Sequence, residues 1–119
     1  MYLNAIEVGS ANAAAANNQT LAAGGTSVRT FIQGFAVSGG GATAGSLIAI
    51  TITGLTNTLT FYLTIPTGAG VGITTPLWIE FNPPLPASAD NTAIVVNVPS
   101  FGAGNTQAAA AAWGFQATG

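Results

Sequence analysis

From residue 28 onward apolar and polar side chains alternate at every second position, the period of a strand with one buried face. The stretch VRTFIQGFAVS (28–38) opens the series, and Gly34 inside it predicts a bulge or a close approach. In SLIAITITG (46–54), Ile48, Ile50 and Ile52 oppose Ala49, Thr51 and Thr53. In TLTFYLTI (58–65), Leu59, Phe61, Leu63 and Ile65 oppose Thr58, Thr60, Tyr62 and Thr64; Pro66, with no N–H for a ladder, ends it. LWIEFN (77–82) puts Leu77, Ile79 and Phe81 on one face and Trp78 and Glu80 on the other. TAIVVNV (92–98) ends at Pro99. The last stretch alternates Ala111, Trp113, Phe115 and Ala117 and reads as a closing strand, although its five-alanine run favours helix by propensity. Turn chemistry separates these runs: GGGATAG, LTN, PTGAGVGITTP, the rigid PPLPASADN and SFGAGNT.

The first 25 residues differ. Tyr2, Leu3, Ile6 and Val8 form a short apolar segment, an edge strand or an anchor. SANAAAANNQTLAAGGTS (10–27) is low in complexity; Ser10 could cap one helical turn at Ala13–Ala16, but no large apolar side chain recurs at helical spacing. The expected organisation is an irregular N-terminal arm over 1–25 and a β-sandwich domain over 26–119. Six strands, a possible seventh at the N-terminus and no amphipathic helix predict an all-β, antiparallel, jelly-roll-like sandwich.

Charge alters what such a sandwich can do. Of 119 residues only Glu7, Arg29, Glu80 and Asp90 are charged, 3% against about 25% in ordinary domains. With no Lys, His or Cys there is no thiolate nucleophile, imidazole base or soft-ligand metal site, and no cofactor is expected. One cation cannot hold a nucleic-acid backbone. No run of about 20 residues is apolar enough to span a membrane, and MYLNAIEVGS lacks a secretory pattern. The glycine runs precede no Lys and no βαβ unit, so they are turns and not phosphate loops. The serines have no His to activate them. Glu80 and Asp90 flank one crossover, which brings a catalytic pair to mind, but pairing of a carboxylate with Arg29 is the simpler role. Asp90 and Asn91 are thin for calcium. The expectation is a protein that is not an enzyme.

A nearly chargeless surface suits a chain covered by neighbours better than a free one, which normally carries mixed charge. Outward Trp and Tyr residues fit that reading, because both are enriched at interfaces. Tyr2, Leu3, Ile6, Trp78, Trp113 and Phe115 are therefore the candidate interface residues. The alternative is a carbohydrate- or host-surface-binding module, with Trp78, Tyr62 and Trp113 as a sugar-stacking platform and an exposed cluster of Trp78, Tyr62 and Asn82. The Thr pairs at 51/53 and 58/60 read as ordinary solvent-facing strand positions.

The stretch FAVSGGGATAGSLIAITITGL, then TLTFYLTIPTGAG, PLPASADNTAIVV, VPSFGAGNT and the closing WGFQA resembles the capsid cement, or decoration, proteins of tailed bacteriophages over about residues 28–117. That resemblance implies a jelly roll, commonly a homotrimer, on the outer surface of an icosahedral virion. It would bind the major capsid protein there and stabilise the shell by bridging neighbouring subunits. It carries no fixed set of binding residues, and in the same setting the alternative binding module would belong to a phage head fibre or tail.

Overall fold

The computed structural model describes residues 3–13, 15–68, 71–72, 76–105 and 107–118, with the side chains of 12 and 13 left aside. Eight strands follow one another: Leu3–Ala13 (β1), Gln19–Leu21 (β2), Val28–Ser38 (β3), Ser46–Thr53 (β4), Leu59–Ile65 (β5), Leu77–Pro86 (β6), Ile94–Asn97 (β7) and Ala108–Thr118 (β8). They form two four-stranded antiparallel sheets, ordered β1-β8-β3-β6 and β2-β7-β4-β5. β1 pairs with β8, β2 with β7, β3 with β6 and β4 with β5. The chain is thus a long hairpin folded back on itself, and the added β3–β8 and β4–β7 ladders complete the jelly-roll order. The molecule measures 49 × 22 × 19 Å. Eleven-residue strands span roughly 36 Å, so the strands run along the long axis and the loops cap its two ends.

The sandwich interior follows the alternation. Ile48, Ile50 and Ile52 of β4, Leu63 and Ile65 of β5, and Ile94 and Val96 of β7 point inward from one sheet. Ile32, Phe35 and Val37 of β3 meet them from the other. β8 contributes only Ala108, Ala110 and Ala112 to this interior, so the branched side chains opposite have room to fill it. The five-alanine run is a strand because it lies between β1 and β3, which satisfy its backbone on both sides. Two ladders outweigh a modest helix propensity.

The expected N-terminal arm is a correction. Leu3–Ala13 is an eleven-residue edge strand and Gln19–Leu21 begins the second sheet. The suggested helical turn fails at Ala13, which is paired with Ala108 in β1; Ala14 lies outside the described residues. Between the two strands Asn17 acts as a polar pin. Its side-chain amide donates to the carbonyls of Ser10 and Ala108, both at 3.3 Å, and its Oδ1 accepts from Gln19 Nε2 at 3.0 Å. Its backbone N–H donates to Val98 O at 2.8 Å. Asn17 and Gln19 are both buried, so each unmade bond would carry a desolvation cost.

Asn17→Ala is expected to lower folding stability by about 2 kcal/mol, because buried acceptors on β1, β8 and Gln19 lose their donor or partner. Urea unfolding checks this; a change within experimental error would show that water replaces the side chain.

Candidate functional site

The outer face of the β1-β8-β3-β6 sheet carries the aromatic residues. On β8 the outward positions are Ala109, Ala111, Trp113, Phe115 and Ala117. β1 lays Leu3, Ala5, Glu7 and Gly9 opposite Ala117, Phe115, Trp113 and Ala111. On the far side β3 and β6 contribute Phe31, Gly34, Ala36, Trp78 and Glu80. Phe31 and Phe115 are opposite each other and stacked, centroids 4.7 Å apart at 13°. Trp78 and Trp113 meet at 5.0 Å and 45°.

The anticipated bulge in β3 positions this cluster. Ile32 opposes Gly114 and Gly34 opposes Trp113, so Gln33 is the extra residue and stands out from the sheet. Gly34 then faces outward beneath the Trp113 ring. A Cβ there would come within 2.7 Å of both the Trp113 ring and the Ile79 carbonyl oxygen. The signal was a glycine within a run of alternation, and its cause is this close approach. β6 is irregular at the same level, where residues 81–84 intervene between the pairs Ile32–Leu85 and Gly34–Glu80.

Two hollows result, divided by Trp113 and Gln33. One, of about 360 Å³, is lined by Gln33, Glu80, Phe81, Asn82, Pro84 and Trp113. The other, of about 310 Å³, is lined by Ala5, Ile6, Glu7, Gln33, Trp113 and Gly114. Trp78 Nε1 donates to Glu80 Oε1 at 3.2 Å and so orients that carboxylate. The one cation stands at the end of this face, opposite Ala117, and is paired: Arg29 Nε donates to Asp90 Oδ1 at 3.0 Å, with both side chains well exposed. Glu7 and Glu80 therefore carry the uncompensated side-chain charge, and both lie on the aromatic face.

Of the candidate interface residues, Leu3, Trp78, Trp113 and Phe115 share this face. Ile6 does not: it alternates inward and packs against the core. Tyr2 lies outside the described residues. Tyr62 is separated from Trp78 and Asn82, because it projects from β5 on the outer face of the other sheet, beside Ala49. The platform of Trp78, Tyr62 and Trp113 and the cluster of Trp78, Tyr62 and Asn82 thus lose Tyr62: Trp113 meets Trp78 and lines a hollow with Asn82, and Gln33, which the sequence did not single out, joins them there. Of the two carboxylates that flank the crossover, Asp90 is bonded to Arg29 and Glu80 to Trp78. Among the described residues no three carboxylates converge on a metal position. No helix among them is long and apolar enough to cross a membrane.

The opposite outer face is hydroxyl-lined and carries no charge, with Thr51, Thr53, Thr60 and Thr64 around exposed Leu47 and Tyr62. No protein-family model, curated protein or solved structure matches the chain.

Gly34→Ala is expected to cost about 1–3 kcal/mol and to displace Trp113, since one methyl overfills the contact. Near-UV circular dichroism would lose the coupled indole signal; an unchanged spectrum would place the Trp113 ring elsewhere. Arg29→Ala, by contrast, is expected to change stability by no more than about 1 kcal/mol, because the ion pair is solvated. A loss of several kcal/mol in thermal unfolding would mean that the pair is covered in solution.

Proposed function

We propose that the protein is a non-enzymatic structural component of a bacteriophage virion. It decorates the outer surface of an icosahedral capsid and bridges neighbouring major capsid protein subunits, as a homotrimer. The likeness of its loop and strand segments to cement proteins supports this reading, as does a jelly-roll sandwich almost without charge.

The observation that carries the proposal is the β1 side of the aromatic face. β1 is an eleven-residue edge strand with no proline, and its only charged residue is Glu7. Leu3, Ala5, Gly9, Ala109, Ala111 and Ala117 beside it are small or apolar and make a flat surface. An unguarded edge of this kind invites a neighbouring chain, and soluble proteins normally block it with proline or lysine. The other edge of the sheet is blocked, because β6 carries Pro83, Pro84 and Pro86. A ring closed by pairing β1 of one copy with β6 of the next is therefore disfavoured. A trimer of this chain would meet through side-chain faces, leaving the β1 edge to the shell. Each contact is modest, and many equivalent copies resist capsomer separation together.

Quantitative mass spectrometry of purified particles tests the function. The expected result is a copy number that scales with the major shell protein; a few copies per particle, or none, overturns the reading. The docking side is tested by Ala5→Lys and Ala11→Lys. Both positions are exposed, so stability should stay within about 0.5 kcal/mol. Particle binding should fall at least about tenfold, a change of about 1.4 kcal/mol. Undiminished binding would remove the β1 edge from the contact.

A further inference from the structure

The geometry points to a second, independent role for the β6 side of the aromatic face: a binding site for an uncharged pyranose residue of a glycan. The site is the hollow of about 360 Å³ between Trp113 and the Asn82–Pro84 segment. That volume lies at the lower end of small-ligand sites and suits one sugar ring. It goes beyond attachment to a shell, since it lies across Trp113 from the β1 edge.

A pyranose offers two surfaces, and the hollow has a counterpart for each. Its apolar C–H face needs an aromatic wall, which the half-exposed Trp113 ring provides, with Phe81 and Pro84 below. Its hydroxyl rim needs neighbouring donors and acceptors. Glu80 supplies a carboxylate, and with Oε1 taken by Trp78 Nε1 the other oxygen is left to accept from a hydroxyl. Gln33 and Asn82 supply carboxamides that both donate and accept, are exposed, and spend neither function on a partner among the described residues.

The charges select within this class. No cation lines the hollow, so nothing there meets the carboxylate of a sialic or uronic acid, and Glu80 repels it. A purely apolar ligand would strand three planar polar groups. The walls are also fixed before binding. Gly34 seats the Trp113 ring, Trp78 orients Glu80, and Pro83 and Pro84 restrict the backbone after Asn82. Fixed walls reduce the ordering cost that weakens sugar binding.

The test is titration of the whole protein with glucose, galactose, mannose and N-acetylglucosamine, followed by indole fluorescence and by saturation transfer from tryptophan to sugar protons. Glucuronate and tetramethylammonium are the charged controls. At least one neutral sugar is expected to bind with a Kd of about 1 mM, roughly −4 kcal/mol, and glucuronate at least about tenfold more weakly. Gln33→Ala and Glu80→Gln should each weaken binding several-fold. Gln33 is an exposed bulge residue, so its variant tests the site even where Trp113→Ala fails to fold. No saturable response to any neutral sugar at about 50 mM, well above that Kd, overturns the proposal. So does binding that the Gln33 and Glu80 variants leave unchanged, binding of glucuronate as tight as that of the neutral sugars, or binding of tetramethylammonium alone.

Discussion

Every feature of the aromatic face depends on β8 being extended. Its alanines look like the makings of a helix, yet the strand is the centre of its sheet, with β1 on one side and β3 on the other. In that position Ala108, Ala110 and Ala112 fill the interior with the least volume, and Trp113 and Phe115 fall on the outside. Gly114 between them is held by the same demand: a Cβ there would run into the Phe31 carbonyl. Small inside and large outside inverts the usual distribution on a strand. The opposite sheet compensates, because β4, β5 and β7 bring isoleucine, leucine and valine to the shared interior. The outside of β8 is thereby left with the hydrophobic surplus, Trp113 and Phe115 among small neighbours, on which the proposed binding rests.

Scarcity of charge makes each charged residue informative. Arg29 and Asp90 neutralise each other at the end of the sandwich where Gly25 and Asn91 also meet, with Gly25 N–H donating to Asn91 Oδ1. The other end ties three glycine-rich loops through backbone bonds, such as Gly41 N–H to Val71 O and Thr43 N–H to Ala103 O, and needs no charge. Threonines keep the second sheet wet without any. Glu7 and Glu80 remain, one on each edge strand of the aromatic sheet, three strands apart with Trp113 between. A docking or binding event on this face must therefore meet one carboxylate whichever half it covers, and cations or hydroxyls suit it better than anions.

Much of this was legible from alternation alone. The strands β4, β5 and β7 of the second sheet, the outward pair Trp78 and Glu80, and the bulge at Gly34 all follow from local pattern, because the pleat forces period two wherever one face is buried. Three things were not legible, for one reason. The continuation of the N-terminal strand to Ala13, through a stretch without large apolar side chains, rests on pairing with β8, roughly a hundred residues away in sequence. The placing of Tyr62 away from Trp78 rests on which sheet β5 joins, and that is decided by its ladder to β4. The meeting of Gln33, Asn82 and Trp113 rests on two irregularities falling at one level of adjacent strands. Composition and periodicity report on a strand's own faces; they carry no information about its neighbours.

The prolines of β6 connect the two halves of the sheet. On an edge strand proline removes N–H donors that would otherwise recruit another chain. In this sheet the three prolines lie on the edge beside the hollow, and the edge without them lies beside the alanine-lined half. A second chain is thus discouraged from covering Trp113 from the β6 side and is left the β1 side. The same rings hold Asn82 and the floor at Pro84 in place. Closing one edge of this sheet to strands keeps a paired chain off the neighbouring hollow, and its other edge stays open to one. The proposed division of this face into a docking half and a binding half therefore rests on where proline was placed, not on any difference in fold between the two sides.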